Sequence, residues 1–423
     1  MNSLRFVIVG VGGYALVHLD AVTWLQEQGL ADLVGIVALE KDQKKYSDLI
    51  NALKNSNVKI YPDIDAFFAG RHNKADVLTV PIGIHMHVPV SIRALQAGMH
   101  VYCEKPLAAT VQEVDRLISV RAKCDRKVAV GFQHINSYSM QQLKARICDG
   151  RLGPVKEIAL MCGWPRSTQY YTRNDWTGKV RKGKNWILDS PANNAHSHYL
   201  LNMLYLCSSR PGEASTPTQV RAELYRANHI EGPDTVQLEF KTKEGSVGFV
   251  VLSHCNASEK GPDMHIKCEH GEANWEEDIG TTEIVYKNGA HEAFDNQIHE
   301  RWRLENFKDL VQAIQADTNP ICTPEMARSH TLTINAVHES CPEITQIPED
   351  EILEVEDWEM FPPDTKGNFR RVEEMDAYLQ ESFEKRKFFS ELEIPWAKAT
   401  NSRIFGLEDY NHFPKKNLSL SCS

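Results

Sequence analysis

The first 130 residues constrain this chain most: short apolar runs alternate there with segments of helical spacing. Arg5–Val9 reads as a buried strand. Leu33–Leu39, Val58–Tyr61, Val77–Val80, His100–Cys103 and Val128–Val130 read as further strands. Tyr14–Gln28, Lys44–Lys54, Ile64–Phe68, Val88–Ala97 and a stretch from Thr110 to about Lys123 carry helical spacing between them. Gly98 stands where a helix-ending glycine belongs, and Thr110-Val-Gln-Glu113 has capping-box spacing. Alternation at this pace predicts an α/β fold whose first part is a doubly wound parallel sheet.

The pattern changes after about residue 135. A helix over Ser139–Cys148 leads into period-two strands at Val236–Lys241, Val247–Leu252, Met264–Cys268 and Glu283–Tyr286. Helical spacing returns at Leu304–Gln315 and Pro324–Ser340. This predicts an α+β domain on a large, mostly antiparallel open sheet. The expected organisation is residues 1–130, residues 131–345 and an extension over 346–423, which packs on the other domains or on a neighbouring subunit. That extension is acidic over Glu349–Glu359, then basic-aromatic, with prolines at 362, 363, 395 and 414.

Composition excludes several classes. With 42% hydrophobic residues in 423, the chain fills two cores and is not globally disordered. A net charge of −10 argues against a nucleic-acid binder. No apolar run approaches a membrane span of ~20 residues, and no charged leader with an apolar core opens the chain. Ten cysteines from Cys103 to Cys422 show neither a disulfide framework nor zinc-ligand spacing, so reduced thiols in the cytoplasm and no metal are expected. Asn256-Ala-Ser258 and Asn417-Leu-Ser419 fit the glycosylation pattern but carry no weight without secretion.

Gly10-Val-Gly12-Gly13-Tyr14-Ala15 follows the first strand and opens the first helix, the context a dinucleotide fingerprint requires. Gly10 permits the tight turn, Gly12 lets the backbone approach a diphosphate at the helix N-terminus, and Ala15 lets helix pack on strand. Glu40 at the end of the second strand is placed to accept hydrogen bonds from ribose hydroxyls and to repel a 2′-phosphate. That favours NAD over NADP, although Lys41 beside it complicates the choice. The bland alternatives are an ordinary strand–helix turn and a solvated charge.

Thr79-Val-Pro81-Ile-Gly-Ile-His85, a helix, and then Glu104-Lys105-Pro106-Leu107 follow that glycine cluster. The combination resembles the Gfo/Idh/MocA family of sugar and inositol oxidoreductases. Val130-Gly-Phe-Gln133, Gly150-Arg-Leu-Gly153-Pro-Val, Asn306-Phe and Thr323-Pro-Glu fit the same resemblance, which spans roughly residues 4–340. It implies a Rossmann domain in which Lys105 lies near the nicotinamide and the substrate hydroxyl. Glu104 would hold the cofactor or the lysine, Pro81 would line the cofactor cleft and His85 would border the nicotinamide. Physically, an ammonium at the carboxyl end of a parallel strand can favour the alkoxide as hydride leaves.

The family's second element is Asp-x-x-x-His. The nearest match is Asn194-Ala-His196-Ser-His198. His198 takes the histidine place and is the natural general base, since imidazole exchanges protons near neutrality. Asn194 departs from the pattern: it orients a hydroxyl but accepts no proton. Asp189 is a candidate for the missing carboxylate, and His196 faces elsewhere on a helix. The stretch Trp164–Trp186 interleaves Trp164, Tyr170, Tyr171, Trp176 and Trp186 with Arg and Lys. Such aromatics suit a sugar ring, so Tyr171 and Trp176 join Asn194 as substrate contacts; the alternative is a loop anchored to the core. Its length fits a lid or a subunit-crossing loop.

These observations predict an NAD-dependent oxidoreductase acting on a secondary hydroxyl of a sugar, cyclitol or sugar derivative. Alternatives are glycoside cleavage through transient sugar oxidation and a non-catalytic NAD-binding regulator. The second face of the open sheet needs a cover, and the resemblance implies a homodimer or homotetramer through it.

Overall fold

A computed structural model describes residues 3–70, 75–277, 280–297, 302–357, 366–398 and 402–415. The end of the acidic stretch beyond residue 357, Pro362, Pro363, the Asn417–Ser419 motif and Cys422 lie outside the described residues. The chain divides into two compact units. The first comprises 1–108, 113–136 and 300–328; the second comprises 109–112, 137–299 and 329–423.

The first unit holds β1 (Leu4–Val9), β2 (Ala31–Val37), β3 (Lys59–Tyr61), β4 (Val77–Val80), β5 (His100–Cys103) and β6 (Val128–Val130). They form one parallel sheet in the order β3-β2-β1-β4-β5-β6. A parallel sheet is covered on both faces, which is why β4 is buried at every position. Phe6, Ile8, Val22, Leu25 and Ile36 share a core with Phe307, Leu310 and Val311 of the helix Glu305–Ala316. Residues 300–328 therefore belong to this unit rather than to the expected 131–345 domain. Strand order reverses between β1 and β4, and ligands bind outside the carboxyl ends at such a point.

Two local expectations change. β2 stops at Val37, so Glu40 opens a short helix, Glu40–Lys45, instead of ending the strand. The single helix expected over Lys44–Lys54 is broken at Tyr46, which leaves helical geometry (φ −110°, ψ 38°) before the helix Ser47–Asn55. The Tyr46 ring lies so close to Gly12 that a Cβ there would meet it at 2.5 Å. Packing on the glycine turn thus competes with helix continuity at Tyr46.

The strands of the second unit are, in chain order, β7 (Val155–Gly163), the short pair β8 (Arg181–Lys182) and β9 (Asn185–Trp186), β10 (Pro217–Arg226), β11 (Thr235–Thr242), β12 (Val247–Ser253), β13 (Lys260–Cys268), β14 (Gly271–Glu276), β15 (Thr281–Tyr286), β16 (His291–Asp295), β17 (Thr345–Gln346), β18 (Ile352–Asp357), β19 (Gly367–Val372) and β20 (Phe405–Gly406). Ten of them form one sheet, β16-β15-β14-β13-β7-β12-β11-β10-β17, with β20 also on β10. Pairing is antiparallel except for β7–β12 and β10–β17. Side chains alternate between its faces: Phe249 and Val251 of β12 and Ala159 and Met161 of β7 share the outer face.

The described part of the segment after residue 345 packs within this unit. Ile347, Val372, Met375, Leu379, Phe388, Phe389, Ile394 and Trp396 pack in one cluster with those outer-face residues and with Tyr225. Burying each large apolar side chain contributes about 2 kcal/mol. Arg370, 4% exposed, anchors the β18–β19 hairpin to the unit: it donates to Ala227 O (2.9 Å) and pairs with Glu349 and Glu354 (2.5 and 2.6 Å).

Candidate functional site

In the first unit, β1 runs into the glycine turn. Gly10 has φ +112°, a conformation that favours glycine, and its N–H donates to Val37 O at 2.8 Å, tying the turn to β2. A Cβ on Gly13 would meet nothing within 4 Å, so the turn opens to solvent there. Among the described residues, the N–H groups of Gly12 and Gly13 have no backbone acceptor. These donors precede the helix Ala15–Glu27, whose N-terminal dipole end favours an anion. An open cradle with unclaimed donors fits a diphosphate, and so fits NAD. Tyr14 caps the helix with backbone only, and its hydroxyl reaches Gln133 at 3.5 Å. Glu40 is solvent-facing and paired with Lys44 (2.7 Å), so a ribose there competes with an exposed ion pair.

Glu104 and Lys105 follow β5 at the carboxyl edge of the sheet. Glu104 is buried; its Oε1 accepts from His18 Nε2 (3.0 Å) and its Oε2 from the Lys105 N–H (3.1 Å). His18 is fully buried, with ring edges toward Tyr102 and Phe307, and its Nδ1 finds no acceptor, so the proton sits on Nε2. Tyr102 and Phe307 stack at 3.8 Å, and the Asn306 amide joins Tyr102 Oη to Val130 O. Gly131 is required here: a Cβ would sit 2.6 Å from Glu104 Oε1. The Val130-Gly and Asn306-Phe patterns thus serve one purpose, holding Glu104 beneath Lys105. The Lys105–Pro106 peptide is cis.

His87, which sequence reasoning passed over, ties this loop to the other one. Its Nδ1 lies 2.8 Å from Pro106 O and its Nε2 lies 2.7 Å from Ile82 O, so one ring bridges the loop after β4 and the loop after β5. Burial lowers its pKa, against the pull of the two carbonyls and Glu104. His85 stands in the first turn of the helix Ile84–Gln96, half-buried, with Pro81 also half-buried in the loop before it. His134 sits beyond β6; burial, then the Arg303 and Lys105 cations, hold its imidazole well below the ordinary range. Neither His134 nor Arg303 carried a local signal in the sequence.

In the second unit, His198 lies in the first turn of the helix Ser197–Cys207, every residue of which is buried. Asn194, which the resemblance would put on the same helix as His198, lies in the turns that precede it. The reason is local: Asn193 and Asn194 close tight turns on Ser190, and the Asn193 amide donates to the Ile187 and Leu188 carbonyls. Lys144 donates to the carbonyls of Tyr205, Ser208 and Glu213 (2.5, 2.5 and 3.1 Å), capping the far end of the His198 helix with a cation. Burial brings its pKa down to about 8.

Asp189 accepts from Asn194 Nδ2 (2.9 Å) and from the Gly178 N–H (2.5 Å). Tyr171, Asn194 and Asp189 line one crevice with Tyr170 and His254, with room for about one water. Trp176 is not among its lining residues; it is half-buried, with its N–H on Asn174. His196 is fully buried between Trp164 and His254, ring centroids 4.9 Å away in both cases. His254 holds Trp164 O through Nδ1 (2.8 Å), and burial keeps its imidazole well below the ordinary range. Trp164, Tyr170 and Trp186 are anchored by packing and by Arg166, Arg173 and Arg181 over their rings. Asn256 is buried, so its glycosylation motif is inaccessible. No group of metal-ligating side chains occurs among the described residues, and no described helix is long and apolar enough to cross a membrane.

Two family models match the chain, together over more than half of it: an oxidoreductase family with an NAD-binding Rossmann fold at residues 4–132, and a GFO/IDH/MocA C-terminal domain at residues 140–274. D-glucoside 3-dehydrogenase of Escherichia coli is 31% identical over 155 residues, 36% of this chain and 42% of that one. Inositol 2-dehydrogenase of Pseudomonas fluorescens is 31% identical over 154 residues, 36% and 43% respectively. The chain thus spans under half the length of these curated relatives. The WlbA dehydrogenase of Bordetella pertussis, solved with NADH and UDP-GlcNAcA, superposes with a TM-score of 0.65 at 21% identity, over 80% of this chain and 97% of that one. At that identity the likeness concerns the fold.

Proposed function

Because the chain belongs to the Gfo/Idh/MocA oxidoreductase family, we propose that it oxidises a secondary hydroxyl of a sugar, cyclitol or sugar derivative with NAD. NAD, when bound, supplies the hydride acceptor. Gly10, Gly12, Gly13, Tyr14 and Ala15 hold its diphosphate, Glu40 its adenosine ribose, and Pro81, His85 and Glu104 border its nicotinamide end. His198 takes the hydroxyl proton as the carbon gives up its hydride. The Lys105 ammonium steadies the oxygen while negative charge develops on it. Asn194, Tyr171 and Trp176 position the ring. With nine described cysteines free, the proposed setting is the cytoplasm.

The observation that carries this reading is the network beneath Lys105. Glu104, His18, Gly131 and His87 hold the backbone on either side of that lysine, and catalysis rewards such fixed geometry. The test is a single-turnover measurement of enzyme-bound NADH fluorescence over a panel of sugars, glycosides and inositols. A signal is expected with wild type and a loss of at least about 100-fold in rate with His198→Ala. Bound NAD without NADH on any substrate would refute hydride transfer and favour a regulatory role. Cleaved glycoside without net NADH would favour the redox-recycling alternative.

A further inference from the structure

The strand pattern says that the outer face of the ten-stranded sheet needs a cover, and the resemblance implies a second subunit there. The chain covers it itself. Phe249, Val251, Ala159 and Met161 are buried under the helix Met375–Lys385 and the aromatic run Phe388–Phe389 with Trp396. The approach is close: a Cβ on Gly163 would lie 2.9 Å from Leu379 Cδ1. The cover also matches polar groups. Glu223, 2% exposed, accepts from Ser390 Oγ (2.5 Å), and Gln237, fully buried, accepts from the Phe389 N–H (2.8 Å) and donates to Ser382 Oγ (2.7 Å). A greasy flap would leave such groups unsatisfied.

The same segment grips the aromatic stretch Trp164–Trp186 at both ends. The Asn368 N–H donates to Gln169 Oε1 (3.1 Å) near its start. At its end, fully buried Phe413 sets its ring edge against Trp186, with centroids 5.0 Å apart. Gln112 holds Phe413 in turn, accepting from its N–H (3.0 Å) and donating to its carbonyl (2.7 Å). Beside the helix Met375–Lys385, the outer face over β13 and β14 presents Asp263, His265, Lys267, Glu272, Asn274 and Glu276, and Arg386 reaches from the segment to His265 Nδ1 (3.0 Å) and Glu157 (3.3 Å). Ion pairs occupy it, His265–Glu272 at 3.1 Å and Lys267–Glu157 at 3.2 Å. A partner subunit there would strip water from charges without gaining an apolar core.

We propose that the segment after residue 345 acts in cis in place of a partner subunit: it seals the sheet and fixes the Trp164–Trp186 stretch, so that the protein is a monomer whose substrate side is complete in one chain. The substrate half of this proposal rests on the sugar-oxidising reading; the assembly half does not.

The test uses the full chain. Light scattering coupled to size exclusion at micromolar concentration should give the 48.0 kDa species alone, and a stable dimer would overturn the proposal. Hydrogen exchange of peptides from residues 164–186 is then compared between wild type and Phe413→Ala. Loss of the ring should speed exchange around Trp186 roughly tenfold while the mass stays monomeric. Gln169→Ala, a milder change at the other end, should loosen the start of the stretch and leave the melting temperature close to wild type. Unchanged exchange in both variants would refute the anchoring. Neither readout needs turnover, so they stand or fall separately from the proposed reaction. Where a sugar is oxidised, Phe413→Ala should lower kcat/KM for it with NADH affinity unchanged; equal loss of NADH binding would count against the proposal.

Discussion

Replacing His18 with phenylalanine tests whether Glu104 is held as the geometry implies. Phenylalanine keeps ring edges toward Tyr102 and Phe307 but removes the donor to Glu104 Oε1. Glu104 is 5% exposed, so its carboxylate loses a partner without gaining water. Stranding a buried charged acceptor costs about 3 kcal/mol. The change also removes the buried, unpartnered His18 Nδ1, which returns about 1 kcal/mol. The net loss of about 2 kcal/mol corresponds to a fall of about 4–8 °C in melting temperature for a unit of this size. Glu104→Gln removes the charge and keeps an oxygen for the Lys105 N–H. In that background His18→Phe should therefore cost much less, and thermal melts of the two single variants and the double variant measure the difference. The same preparations should bind NADH more weakly when Glu104 is stranded, read by fluorescence titration. If His18→Phe costs as much in the Glu104→Gln background as in wild type, the pair is not coupled and the reasoning about the Lys105 platform is wrong.

Two further outcomes are expected. His338 is buried with its pKa lowered by burial to about 4, and burial, then Arg126 and Lys127, lower His100 to about 4 as well. Both are neutral in the fold and take up a proton on unfolding, so their contribution is whole above pH ~6.5 and lost as pH falls toward 4. His338 alone should account for about 3 kcal/mol of that loss, and His338→Leu should flatten the pH dependence of the melting temperature; an unchanged slope would contradict it. Glu40→Ala should shift the NAD-to-NADP affinity ratio about tenfold toward NADP, measured by equilibrium binding, because the ribose loses an acceptor and a phosphate loses a repelling charge. An unaltered ratio would remove Glu40 from the cofactor site.

The parts of the site that were legible are those whose signal is local. A glycine with φ +112° between a strand and a helix, and a Glu-Lys-Pro triplet at a strand end, are read from neighbouring residues. His87 was missed because its meaning lies in two carbonyls, at Ile82 and Pro106, the second of them 19 positions away. Glu40 and Asn194 were placed on the right segments but in the wrong elements, since a strand end or helix start shifts by a few residues when a ring such as Tyr46 or an amide such as Asn193 claims the backbone. The sheet's outer face shows the deeper limit. Period-two alternation says that Phe249 and Val251 need a cover, but it does not distinguish a second chain from a later part of the same one. Glu223 and Gln237 carry no sequence sign of burial, because a polar residue suits water or a polar match equally, and only Ser390, Ser382 and the Phe389 N–H decide between them. The extension's own composition points to packing: Phe388, Phe389, Trp396 and Phe413 are too many large aromatics for a solvated arm, and such buried rings need a hydrophobic surface to lie on, which the alternation in the sheet supplies.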